Sequence, residues 1–309
     1  QSVKAEIVAN LVDRLMEGVP PRLVPALEAA AVVRWFDQPV LRAVMQVEDV
    51  RDVYNELRRF PFVRPRVDGL ALHDAVHEII DENLRTHDSE RYTELHQRAA
   101  LFYEKKLEKS KSDDVEWLRL ELLYHRMRDD EAAGIQLFQE MAEDMTSHRL
   151  VHLLSTLIND VNSYPLESEN SILWRKYYQA RLLGITGKWR QILETYHEIA
   201  RQAKIDIKLK SYVLCDIGRI LTYRPFIYAT DGVKNALETS QESLRICPEV
   251  DYKLIENYFT QAIAYSSRGE WQMVYATLEK LREYYEMHND IRELAAYYWQ
   301  IMGSAGQEG

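Results

Sequence analysis

The sequence is poor in residues that break or staple a chain. Its two cysteines, Cys215 and Cys247, are too few for a disulfide framework and lack Cys-x-x-Cys spacing. Both read as small buried hydrophobes in a reducing compartment, so a cytoplasmic location is expected. No apolar run approaches the about 20 residues that span a bilayer, and Gln1-Ser2-Val3-Lys4 opens no signal peptide. A basic excess is missing too. The net charge is −10, with 16 Lys/Arg against 19 Asp/Glu in residues 1–109 and 23 against 30 in the remainder. Phosphate neutralisation needs the opposite balance, which argues against nucleic acid as the main partner. There is no Gly-x-x-x-x-Gly-Lys-Ser/Thr loop, Gly-x-Gly-x-x-Gly or Gly-x-Ser-x-Gly elbow, so neither catalysis nor a cofactor is expected of this chain. The missing initiator Met and the small, polar Gly303-Ser304-Ala305-Gly306 suggest a piece of a longer protein.

What is present is amphipathic helix. Glycine (11) and proline (9) are scarce in 309 residues, and apolar residues recur at three-and-four spacing almost throughout. Helices are predicted over Pro21–Val33, Gln38–Met45 and Val47–Arg59. Then Phe60 to Leu72 alternates around Asp68-Gly69, a hairpin signal. A helix follows from His73 to Leu84, and Asp88-Ser89 caps another that reaches Lys109. Three helices, a small hairpin and a further helix make a winged-helix-like domain over 21–109. Residues 1–20 are expected to be a linker helix. In the third helix Arg51, Arg58 and Arg59 sit among Glu48, Asp49, Asp52 and Glu56, which would repel DNA phosphates. His73 and His77 have the i,i+4 spacing of a zinc motif, but Asp74 stands where that motif needs Glu and no third ligand follows.

Beyond the apolar-free tract 108–114, helical repeats are expected over 113–302. Tyr177-Tyr178-Gln179-Ala180 through Gly187-Lys188-Trp189, continued by Ile192, Tyr196 and Ile199, matches a tetratricopeptide hairpin. Tyr258, Ala262, Tyr265, Gly269-Glu270-Trp271, Val274, Leu278 and Leu281 give a similar pattern. Ala180 and Ala262 lie seven positions before the turn glycine, where helices cross closely. Trp189 and Trp271 lie two after it and could wedge between hairpins. A middle unit uses Gly218 and Ala236, carries about six extra residues around Thr222–Phe226, and ends at Pro248. A degenerate unit runs from Trp117 through Tyr124 to Ala133 and Leu137, with the acidic pair Asp129-Asp130 at the turn between its helices. The period is nearer forty than 34, so the fold class is mainly α: a winged-helix-like domain, then a tetratricopeptide-like right-handed solenoid. Another helical solenoid is the alternative. Hairpins of this kind must stack to bury their apolar faces.

Several of these segments resemble the carboxy-terminal half of a STAND-class signal-transduction ATPase, the group of AP-ATPases and maltose-activator-type regulators. Ala26-Leu27-Glu28-Ala29-Ala30-Ala31-Val32-Val33-Arg34-Trp35-Phe36-Asp37 looks like the opening helix of that group's winged helix, and Leu57 to Val63 is similar to its third helix end and first wing strand. Leu70-Ala71-Leu72-His73-Asp74 resembles the Met-His-Asp motif, with Leu72 in the methionine place. Leu123-Tyr124-His125 is similar to the first helical repeat that follows. The resemblance implies that His73 touches the β-phosphate of ADP and that Asp74 fixes the local geometry, with ADP or ATP bound only in a parent protein that carries the P-loop core. No such core lies in this chain, so His73 is expected at the domain surface at a helix start, or else packed at the wing.

Alignment of the repeats puts His125, Arg126, Trp174, Tyr177, Arg181, Tyr212, Arg219, Tyr223 and Phe259 on a shared groove. Arginines there would favour an acidic or carboxylate-bearing peptide; the alternative is that the aromatics are inter-repeat core. The expected function is a sensor and regulatory module: repeats bind a protein or peptide ligand, and the winged helix relays the event to the nucleotide-binding domain of the same parent. The alternatives are a transcription regulator with its DNA-binding part elsewhere, or a plain assembly scaffold.

Overall fold

A computed structural model describes residues 18–110, 115–148, 150–229, 231–246 and 251–288. The predicted linker helix up to residue 17, most of the charged tract, Cys247, Pro248 and the repeat end at 289–302 lie outside the described residues. By packing, the chain divides into two compact units, with the divide after Leu157.

In the first unit a 3-10 turn, Pro21–Leu23, leads into α1 (Val24–Ala31). Alanine and leucine are strong helix formers, and Pro25 sits in the first turn, where its missing N–H costs nothing. Helix α2 (Gln38–Met45) matches its predicted bounds. The Asp37 carboxylate accepts the Val40 amide at 2.8 Å to start it, and Gln46 ends it in the left-handed region. Helix α3 (Arg51–Leu57) begins four residues later than the periodicity predicts; Val50 at its N-cap brings no side-chain bond, and the Asp49 carboxylate ahead of it accepts the Arg51 amide at 3.0 Å.

Strands β1 (Val63–Arg66) and β2 (Gly69–Leu72) pair antiparallel, with Val63 opposite Leu72. Arg66 pairs with Gly69, so the tip is Val67-Asp68, one residue earlier than the expected Asp-Gly turn. Leu70 also exchanges two 2.8 Å backbone bonds with Phe36. Helix α4 (Asp74–His87) follows directly. Helix α5 (Ser89–Lys109) starts from Asp88, whose carboxylate accepts the Arg91 amide at 3.1 Å, as the sequence predicts.

Helices α6 (Val115–Asp129) and α7 (Glu131–Ser147) form the degenerate hairpin, with Asp130 capping α7 through the Ala133 amide at 3.1 Å. Leu118 and Leu122 belong to the same core as Phe36, Leu57, Leu70 and Tyr103. That shared core is why packing does not divide the chain at 110–113. Helix α8 (Val151–Asn162), which the sequence pattern assigns to no repeat, carries the divide.

The second unit is a run of antiparallel hairpins. Helix α9 (Glu169–Leu183) packs on α10 (Trp189–Ala200), and α10 on α11 (Ile207–Leu221). A short turn of helix, α12 (Arg224–Ile227), takes up the extra residues before α13 (Gly232–Ile246). Helices α14 (Asp251–Ser267) and α15 (Trp271–His288) complete the described part. Gly187 and Gly269 both adopt φ 70°, the left-handed turn that the repeat pattern requires. Ala180, Gly218 and Ala262 are at close helix crossings: a Cβ on Gly218 would stand 2.9 Å from Thr239 and 3.2 Å from the Ala236 carbonyl. Ile192, Tyr196, Ile199, Val274, Leu278 and Leu281 are all buried. Trp189 meets Tyr223 edge-on at 5.0 Å, the expected wedge. Trp271 is exposed; it opens the second helix of the last described hairpin, and no described hairpin follows to cover it.

Candidate functional site

The second unit holds a charged network inside its first helices. Asp216, in the middle of α11, is fully buried. Its Oδ1 accepts from Lys253 Nζ of α14 at 2.7 Å, and its Oδ2 accepts from the hydroxyls of Tyr177 (2.9 Å) and Tyr196 (3.3 Å). Two guanidiniums stand further out, Arg219 at 3.6 Å and Arg181 at 3.9 Å. Lys253 is itself buried, reaches Glu256 at 2.8 Å and lies over the Tyr212 ring at 5.2 Å. Burial alone would raise the Asp216 carboxyl. The surrounding charges of Lys253, Arg181 and Arg219 outweigh it and hold the group well below the usual carboxylate range.

Taking charges out of water costs several kcal/mol per ion, and only close pairing with hydrogen bonds offsets it. Here a carboxylate with three hydrogen-bond partners and two further guanidiniums meets that condition. Cys215, Asp216 and Glu256 bring ligand atoms within 4.8 Å of one another, a spacing that could hold a metal ion. The Lys253 ammonium bonds to both carboxylates, however, and fills the cation's place. Burial pushes the Cys215 thiol up, which disfavours the thiolate a metal would need.

The first unit holds a different polar cluster. His96 of α5 and His125 of α6 share a hydrogen bond at 2.9 Å between their Nδ1 atoms. One ring must donate and the other accept, so the accepting ring is neutral. Burial drives both imidazoles well below their usual pKa, helped at His96 by His125 and Arg128 and at His125 by Arg128 and Arg34. His96 Nε2 also lies 3.9 Å from Asp81 of α4, whose carboxyl burial pushes up to about 6. Tyr103 stacks on His125 at 5.5 Å, and Arg128 lies over Tyr124 at 3.7 Å.

Several groove expectations need correction. Trp174, Tyr177 and Tyr212 are buried and pack on one another as aromatic core of the second unit, at ring distances of 5.4–6.2 Å. His125 is fully buried in the first unit, and Arg126 there bridges Glu104 and Asp129. Buried as they are, Trp174, Tyr177, Tyr212 and His125 offer no binding surface within their own units. Phe259 is half-buried against the core around Ala262. Arg181, Arg219 and Tyr223 are brought together near Asp216: Arg219 donates to the Tyr223 hydroxyl at 3.2 Å and Arg181 to that of Tyr177 at 3.4 Å.

Sequence reasoning missed Asp216 and Lys253. The available signal was a single acid inside the apolar run Val213-Leu214-Cys215-Asp216-Ile217. His73 lies exposed at the start of α4, with its backbone N–H bonded to Phe62 at 2.9 Å, and Asp74 pairs with Arg64 at 2.7 Å.

No protein family and no curated protein is matched by the sequence. Among solved structures the whole chain is similar to a signal-transduction ATPase with numerous domains (STAND) that has a tetratricopeptide repeat sensor, from Pyrococcus horikoshii. The TM-score is 0.56 at 12% identity, and 100% of this chain covers 47% of that one. This chain therefore spans about half the length of the protein it resembles. The fold is a helical-repeat fold of the tetratricopeptide type. Among the described residues no helix is long and apolar enough to cross a membrane.

Proposed function

We propose that the chain is the regulatory part of a STAND-type ATPase. The repeats take a protein or peptide ligand, and a winged-helix-like domain relays the event to a nucleotide-binding domain of the same parent. The observation that carries this is the likeness in fold of the whole chain to about half of a STAND protein with a repeat sensor. Support comes also from the arrangement β1, β2 and α4, which sets His73 at an exposed helix start directly after a strand, where a phosphate could be met. On this reading the chain itself does no catalysis, works in the cytoplasm, and touches ADP only through its parent's core.

DNA contact by α3 finds little support: Arg51 is held by Asp49 at 2.6 Å, and Arg22 clasps Glu56 with two bonds of 2.8 Å. The test uses the full-length protein with its nucleotide-binding core. His73→Ala should speed release of bound ADP by roughly tenfold, the worth of one charge-assisted bond. Unchanged ADP retention would remove the relay role.

A further inference from the structure

Helix α4 is held in the first unit by little apolar surface. Over its 14 residues only Ile80 and Leu84 are buried, against six residues in α5 and seven in α6. The rest of its inward face is polar: His77 and Asp81, one turn apart and half-buried. Across from them His96 Nε2 of α5 lies 3.9 Å from Asp81 Oδ1, and His96 is bonded in turn to His125 of α6. His77 Nε2, Asp81 Oδ1, His96 Nε2 and His125 Nε2 are all buried with no hydrogen-bond partner. Arg128 of α6 acts on all four of these groups, and Arg34, between α1 and α2, acts on His77 and His125. On α4 itself Asp74 flanks His77, and Glu82 and Arg85 flank Asp81. Tyr92, Tyr103 and Tyr124 pack on the two inner imidazoles and stay un-ionised, because burial pushes their hydroxyls up.

We infer that this cluster is an acid-sensitive catch, which holds α4 on α5 and α6 while its imidazoles are neutral and releases it once more than one proton must enter. The closed cluster has a place for a first proton on Asp81, whose carboxyl burial pushes up to about 6. A further proton must charge an imidazole, which burial opposes first and the Arg128 guanidinium next. Parting of α4 brings water to His77 and His96 and lets both protonate. Helices α5 and α6 keep their own apolar contacts, with Tyr103, Leu118 and Leu122 in one core. The lowered imidazoles favour the closed form above about pH 6.5 and the open form below it, while the raised Asp81 works the other way. With ordinary pKa values in the open form, two histidines against Asp81 raise the open population roughly sixtyfold from pH 7 to pH 5. One histidine would do little more than offset Asp81, so both are needed. The catch goes beyond the proposed function and does not depend on it. Because α4 starts directly after His73, its release moves that residue whatever it meets.

The test is hydrogen exchange by mass spectrometry on the whole chain at pH 7, 6 and 5, each rate divided by the intrinsic rate at that pH. Opening of α4 should rise roughly sixtyfold from pH 7 to pH 5, and α5 and α6 should rise less. His77→Gln should flatten the response of α4 to a few-fold. Asp81→Asn should steepen it roughly tenfold, because it removes the group that takes a proton in the closed form. A purely structural role for Asp81 would shift the opening at every pH and leave its slope alone. The inference is overturned if α4 opens equally at pH 7 and pH 5, or if α4, α5 and α6 open together. It is overturned too if His77→Gln keeps the full response with wild-type helix content. Should His77→Gln lose that helix content, Asp81→Asn decides: a steeper slope supports the catch, and an unchanged slope overturns it.

Discussion

The two compact units bury polar groups in opposite ways. The first buries a neutral pair at its centre: His96 and His125 share a hydrogen bond, and their outer Nε2 atoms are buried without hydrogen-bond partners. The second keeps its interior charged and pairs the charges, so that Asp216 has Lys253 and two tyrosine hydroxyls at bonding distance. A neutral buried imidazole is stable only while protons are scarce. A buried ion pair is insensitive to mild acid but intolerant of losing a member.

The largest effect should come from breaking the second arrangement. Asp216→Asn would leave Lys253, Arg181 and Arg219 without the carboxylate that lies between them. A loss of about 3–5 kcal/mol in the unfolding free energy of the second unit is expected, read by urea denaturation. A loss below about 1 kcal/mol would mean that the charges are not truly desolvated.

Acid should sort the units. The unfolded chain takes protons on His96 and His125 below about 6.5, which the folded unit refuses, so its stability is full above that pH and falls below it. Asp81 acts in the other direction: its carboxyl, raised to about 6, is protonated in the folded state before the unfolded one. Burial also holds His77 of α4 below its usual range, so three histidines stand against Asp81 and the first unit should lose stability between pH 7 and pH 5. In the second unit Asp216 and Glu256 are both depressed, so their contribution persists through that range and is lost only at far lower pH; the half-buried His197 adds a smaller acid-side loss. Hydrogen exchange at pH 5 should therefore speed in α4–α6 well before α11 and α14. Equal speeding in both would erase the contrast.

The smallest effect concerns the hairpin turns. A methyl on Gly269 would meet nothing within 4 Å, so Gly269→Ala should cost about 1 kcal/mol, from the φ of 70° alone. The first unit makes its α6–α7 turn with the Asp130 cap instead, and there thermal melting should show a similar cost for Asp130→Ala.

Local features of the fold were legible in the sequence. The Asp88 cap, the bounds of α2, the turn glycines and the small residues at the crossings all follow from one element's own chemistry. The charged network was not legible, because its members come from α9, α10, α11 and α14 and are separated by 20 to 39 residues. Periodicity places Asp216 on a helix but cannot say that a lysine of another hairpin meets it there. The aromatics misled for a related reason. Trp174, Tyr177 and Tyr212 fall at a spacing that suits a ligand groove and a packed core equally, and the Tyr177 hydroxyl found its partner inside. Arg219 remained accessible because its long side chain carries the charge outward from the same helix face.

Lys253 bears on how the repeats come apart. Stacked hairpins with only neighbour contacts can fray one at a time from an end. Here the cation that neutralises the carboxylate of α11 is supplied by α14, while the tyrosines that complete its coordination belong to α9 and α10. Loss of the last described hairpin takes the closest cation from Asp216 and leaves it the two more distant guanidiniums. The three hairpins are thereby tied into one cooperative block, and an event at any of them is felt by all.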